Sequence, residues 1–185
     1  MVKVSVYIGT SLDGFIAREN GDIGWLDEAN KNVTPGEDFG FNNFIESVDL
    51  IVMGRKTFEQ VKVFDNWPYM DKRLIVLTTK NLQIPEKLER FTTTSSTFVP
   101  EKLISELSDQ HVDHIYIDGG LVIQEFLSAG LVDEITVTIV PIIIGRGKSF
   151  SKLVSKDLHL NHLKTTVYEF GFIQNKYRIT KLIKG

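Results

Sequence analysis

Leu50-Ile51-Val52-Met53-Gly54-Arg55-Lys56-Thr57-Phe58-Glu59 is the stretch whose reading decides the fold. Four apolar residues in a row are too short for a buried helix and fit a strand covered on both faces. The strand stops at Gly54, and Arg55 to Glu59 opens a helix. The same strand-then-helix sequence recurs. Arg73 to Thr78 is a buried strand, and a weaker one near Phe91 to Thr93 precedes a helix begun by Pro100 and carried by Leu103, Ile104 and Leu107. His114 to Asp118 is a strand, Gly119-Gly120 a turn, and Val122 to Leu127 a helix stopped by Gly130.

Upstream, Val2 to Ile8 reads as the first strand. Gly9 to Gly24 reads as a long polar loop, of the kind that is usually functional. A helix follows Pro35-Gly36 over Glu37 to Ser47, with Phe41, Phe44, Ile45 and Val48 at helical spacing. Downstream the alternation breaks. Glu134 to Ile144 and Leu160 to Leu182 have strand character throughout, with Phe170-Gly171 as a hairpin corner. The expected architecture is α/β in three layers: a central mixed, mostly parallel sheet, helices on both faces and a C-terminal antiparallel hairpin.

With 185 residues and 42% hydrophobic content, the chain has enough material for one sizeable core and is expected to form a single domain over 1–185. A net charge of −3 offers no basic field for a polyanion, so nucleic acid is not an expected partner. The absence of cysteine excludes disulfides, thiolate metal sites and cysteine nucleophiles. Of the four histidines, His111 and His114 fall at a helix exit and a strand start, so no metal site is expected. No apolar run approaches the roughly 20 residues that span a bilayer. The chain goes directly into a strand with no signal-peptide pattern, and a cytoplasmic protein is expected.

Three stretches favour anions or close ligand approach. Gly54-Arg55-Lys56-Thr57 places two cations and a hydroxyl at a helix start, suited to a nucleotide phosphate. In Asp118-Gly119-Gly120, consecutive glycines between strand and helix let a ligand approach the backbone. Gly145-Arg146-Gly147-Lys148-Ser149 ends like a P-loop, but Ile142 stands where the first glycine is required, so an NTPase is rejected in favour of a flexible basic turn or dimer contact. Asp13, Trp25 and Asp38 form an acidic and aromatic group. A carboxylate beside an apolar wall can hold a nitrogen heterocycle and assist its protonation.

Taken in order, these stretches resemble the dihydrofolate reductase family. The likeness runs through Val4 to Gly9, Asp13, Ile16-Ala17, Trp25, Asp38, the Met53 to Glu59 segment, Leu77-Thr78-Thr79 and Ile117 to Phe126. Ser11-Leu12-Asp13-Gly14, Ala129 to Glu134 and Val140 to Gly145 are similar to the reductase domain of bifunctional riboflavin deaminase-reductases, which also have an acidic residue at the position of Asp118. The cysteine motif of the deaminase half is absent, so a stand-alone relative is expected.

The resemblance implies NADPH as cofactor and hydride transfer to a C=N or C=O bond of a small heterocyclic or ribosylamino-pyrimidine substrate. It assigns Asp38 and Asp13 to catalysis, and Trp25 and Phe41 to substrate binding. Cofactor binding falls to Ile16, Ala17, Gly54, Arg55, Lys56, Thr57, Thr78, Thr79, Asp118, Gly119, Gly120, Leu121, Val122 and Ile123. A homodimer through Val137 to Ile144 is implied as well. A true dihydrofolate reductase and a non-catalytic nucleotide-binding module remain alternatives.

Overall fold

The computed structural model describes residues 2–180. In chain order the elements are β1 (Lys3–Ser11), β2 (Phe15–Ala17), α1 (Gly24–Asn30), α2 (Phe41–Glu46), β3 (Leu50–Gly54), α3 (Arg55–Val61), β4 (Arg73–Leu77), α4 (Glu86–Glu89), β5 (Thr92–Ser95), α5 (Pro100–Asp109), β6 (His114–Asp118), α6 (Gly120–Ser128), β7 (Glu134–Val140), β8 (Lys148–Ser149), β9 (Leu160–Val167) and β10 (Ile173–Ile179).

Eight strands make one sheet in the order β5-β4-β3-β6-β1-β7-β10-β9. Strands β5 through β7 in that order are parallel to their neighbours, and β10 runs antiparallel to both β7 and β9. The sheet is thus mixed and mostly parallel, ending in the expected hairpin. Gly171, at φ 94°, makes its corner. Leu182, the expected end of the last strand, lies outside the described residues.

Alternation along the central strands accounts for the layers. Leu50 and Val52 join Val4, Val6, Ile115 and Ile117 on one face under α5 and α6. Ile51 and Met53 join Leu74, Val76 and Tyr116 on the other, against Ile45 of α2 and Phe58 of α3. Both faces being dry, a continuous apolar run is what such a strand requires. Helix α6 ends through Gly130 in the left-handed region, with the Leu131 N–H bonded to the Phe126 carbonyl and the Gly130 N–H to that of Leu127.

Several expectations are corrected. The stretch from Gly9 to Gly24 is no long loop: β1 runs on to Ser11, and β2 pairs with β8. The basic turn at 145–149 therefore includes a strand partner. Helices α1 and α4 were not expected; they are short and lack the repeated periodicity that marks longer helices. Helix α2 starts at Phe41, not Glu37, because Phe39 and Gly40 have φ of 58° and 81°. Strand β7 stops at Val140, before Pro141, which has no N–H for a ladder. No helix among the described residues is long and apolar enough to cross a membrane.

At the start of β7, Glu134 fastens three strands. Its carboxylate meets Lys3 at 3.0 Å, Lys176 at 3.1 Å and Arg178 at 3.3 Å. Burial favours its neutral form, but hydrogen bonds from Lys3 and Lys176 outweigh it and pull the pKa from 4.5 down to about 2. A depressed carboxyl pKa stabilises the fold above the unfolded value, and that contribution is lost as pH falls towards the folded one. Glu134→Gln is expected to lower stability at neutral pH by about 1–3 kcal/mol. In chemical denaturation the gap to wild type should close as pH falls from 4.5 to 2; a gap independent of pH would show that the ion cluster contributes nothing.

Candidate active site at the strand ends

Strands β3 and β6 lie side by side, with Met53 paired to Asp118. Their next residues, Gly54 and Gly119, lead into α3 and α6. Crevices outside the carboxyl ends of parallel strands are where such sheets take ligands. At this one three segments converge. A Cβ on Gly119, whose φ is 90°, would stand 2.2 Å from Thr57 Oγ1. One on Gly120 would stand 2.6 Å from Ile16 Cδ1, and one on Gly54 would be 3.5 Å from Val122. Strand β2 thus brings Ile16 over the start of α6, and Gln124 fixes the neighbouring ribbon by donating to the Ser149 carbonyl at 2.6 Å.

The nine-residue helix α6 has no side-chain cap. Its first amides therefore remain available to an anion. Leu121 is exposed, whereas the side chains of Val122 and Ile123 are core, so those two can offer a ligand only backbone. A glycine cradle, an uncapped helix start and the Thr57 hydroxyl fit a dinucleotide pyrophosphate. Thr78 is buried and its hydroxyl bonds the Lys80 amide and carbonyl, while Thr79 is exposed one residue beyond, past the end of β4. Ala17 is buried, and its carbonyl lies 2.3 Å from a Cβ placed on Gly147. Arg55 is partly buried with its Nη1 on both oxygens of Glu59, at 2.6 and 2.7 Å, and Lys56 is exposed.

Asp118 ends β6 between two buried tyrosines. Tyr69 donates to its Oδ2 at 2.5 Å, and Tyr116 donates to the Tyr7 carbonyl at 2.9 Å. Burial raises the Asp118 pKa, with partial offset from the Tyr69 and Gly119 hydrogen bonds. A carboxyl pushed in that direction holds its proton closer to neutrality. Sequence reasoning missed Tyr69: it stands in an irregular stretch after α3, where Trp67-Pro68-Tyr69 has no periodicity to betray a shared environment.

The other expected residues have different surroundings. Asp38 lies before α2, not in its first turn, and its two oxygens accept from the Gly40 and Asn42 amides at 2.8 and 3.0 Å. Asp13 is exposed and accepts from the Ile144 and Gly145 amides, and its pKa is lowered by the Ser11 hydroxyl and these amides. Trp25 is packed with Val140 and Phe172, and its buried indole N–H finds no acceptor among the described residues. Phe41 sets its ring edge-on to Tyr7, Tyr69 and Tyr116, within the aromatic cluster that includes the Asp118 partner Tyr69. His114 is partly buried, with its ring nitrogens bonded to the Ser5 hydroxyl and to the Ser47 carbonyl.

Sheet order and terminal hairpin define a dihydrofolate reductase-like fold. Dihydrofolate reductase of Enterococcus faecalis, solved with NADP(H), superposes with a TM-score of 0.62 at 17% identity over 97% of each chain. The chain belongs to the RibD C-terminal domain family, whose model matches residues 2–173. A Shewanella sp. PV-4 protein provisionally assigned to riboflavin biosynthesis is 33% identical, covers 97% of this chain and 100% of its own, and gives a TM-score of 0.84. A Thermotoga maritima diaminohydroxyphosphoribosylaminopyrimidine deaminase/5-amino-6-(5-phosphoribosylamino)uracil reductase matches 97% of this chain with 57% of its own length, at 16% identity and a TM-score of 0.73.

Gly119 and Gly130 separate the two reasons a glycine is needed. Both have positive φ, but a Cβ added at Gly130 would meet no atom within 4 Å, whereas one added at Gly119 would meet Thr57. Gly130→Ala is expected to cost about 1 kcal/mol, from backbone strain alone. Gly119→Ala should cost about 2–4 kcal/mol, because overlap adds to the strain. Equal costs in denaturant titrations would mean that α3 and the turn are not in contact.

Proposed function

We propose that this chain is a cytoplasmic, NADPH-dependent reductase acting on a C=N or C=O bond of a small heterocyclic or ribosylamino-pyrimidine substrate, in the manner of 5-amino-6-(5-phosphoribosylamino)uracil reductases. The observation that carries this reading is the juxtaposition of a glycine cradle with a half-buried carboxyl, Asp118, immediately before it. NADPH supplies the hydride. The chain's own residues bind and orient: Thr57, Gly119, Gly120 and the first α6 amides take the pyrophosphate, Ile16 bears on the nicotinamide, and Arg55 and Lys56 take the 2′-phosphate.

Reduction of a polar double bond places hydride on carbon and a proton on nitrogen or oxygen. Asp118 is the group suited to supply that proton, since burial keeps its carboxyl protonated to higher pH than an exposed aspartate. Tyr69 fixes its orientation. The folate alternative relies on Asp38 facing the substrate, and both oxygens of Asp38 are engaged by backbone amides. Asp38 and Asp13 then serve the site by shaping the segments around it.

Turnover is tested by following NADPH oxidation against pterin, pyrimidine and carbonyl substrates. On the substrate so found, Asp118→Asn is expected to lower kcat by about a hundredfold or more while leaving NADPH binding in place. Unchanged kcat would remove Asp118 from the chemistry, and oxidation of no substrate would favour the non-catalytic module.

We further propose a homodimer. Val137 and Ile139 are only half-buried and Ile143 is exposed, which leaves apolar surface along and beyond β7. Sedimentation of the chain at micromolar concentration is expected to give twice the monomer mass, and a monomer there would overturn the proposal.

A further inference from the structure

The cation that opens α3 is already occupied. Arg55 Nη1 reaches both oxygens of Glu59, and both side chains are partly shielded, at 29% and 41% exposure. Helix stability does not account for this pair. In i,i+4 ion pairs the acid is better placed on the N-terminal side, and here the order is reversed. Lys56, the next residue, is exposed and forms no ion pair among the described residues. Of these two adjacent cations Arg55 alone is engaged by a carboxylate among the described residues, and an anion drawn to Arg55 would approach Glu59 as well.

Resting on the cofactor reading above, we propose that Glu59 sets selectivity between phosphorylated and unphosphorylated nicotinamide dinucleotides. Its carboxylate holds Arg55 when no dinucleotide is bound. A 2′-phosphate then has two consequences to meet: it must share or displace Arg55 Nη1, and it must approach the Glu59 charge. A phosphate monoester carries nearly two negative charges at neutral pH, so the repulsion acts strongly on it. A free ribose hydroxyl meets no such repulsion, and an acidic residue can accept its hydrogen bond. Glu59 therefore restrains the preference that Arg55 and Lys56 create, and the preference is the difference between these opposed charges.

The test is calorimetric titration of NADP⁺ and NAD⁺ into the wild-type chain, Glu59→Gln, Arg55→Ala and the double variant, with thermal midpoints measured on the same preparations. Glu59→Gln is expected to tighten NADP⁺ about tenfold or more and to leave NAD⁺ unchanged or weaker. In the Arg55→Ala background the gain should largely vanish, and at high salt it should shrink. A midpoint near that of wild type shows that the variant is folded. If Glu59→Gln moves both dinucleotides equally, moves neither, or acts fully without Arg55, the selectivity role is wrong and the cofactor reading stands. If no variant binds either dinucleotide, the cofactor reading fails and this inference with it.

Discussion

Thr57 Oγ1 fills the space where residue 119 would carry a Cβ, and much of the site depends on that contact. It brings the first turn of α3 against the turn between β6 and α6, two segments far apart in sequence. Only a glycine at positive φ permits it, since an L side chain would meet both steric overlap and an unfavourable backbone. With that approach made, Met53 and Asp118 remain in register as β3 and β6 end together, and both strands deliver their following residues to one crevice. The parallel sheet supplies the direction. The absent Cβ supplies the proximity.

Much of this was legible in the sequence because it follows from period and punctuation. Uniformly apolar runs such as Leu50–Met53 and Ile115–Ile117 announced strands covered on both faces, and the glycines after them announced the turns into α3 and α6. What was not legible depends on partners distant in the chain. Strand β2 has three residues and β8 two, and neither is recognisable until Phe15 pairs with Ser149. Helix α2 was expected four residues too early because Phe39 adopts a left-handed backbone, which its own sequence does not favour. The Phe39 carbonyl is held there by Tyr7 and Gln174, from β1 and β10.

The carboxylates illustrate the same limit more sharply. Residue type and neighbourhood singled out Asp13 and Asp38, yet both engage their oxygens with backbone amides and so fix local chain direction. In the sequence, Asp118 stands out only as part of the turn. Its chemistry comes from Tyr69 and Tyr116, one outside any element and one on the strand itself, and neither position is predictable from spacing. Desolvation is what moves the Asp118 pKa upward, and desolvation is a property of the fold.

The half-buried Asp118 carboxyl also constrains the cradle electrostatically. If Asp118 were ionised, its charge would lie one residue before the glycines proposed to receive a pyrophosphate, and like charges at that separation oppose binding. Desolvation shifts Asp118 towards its neutral form and so lessens this repulsion. Tyr69 cannot neutralise the carboxylate, but its hydrogen bond makes the buried position tolerable by satisfying one oxygen. The same desolvation that makes the group useful for protonation therefore makes it compatible with an anionic ligand beside it. That coupling accounts for an acidic residue at the mouth of an anion cradle, where an exposed carboxylate would be a liability.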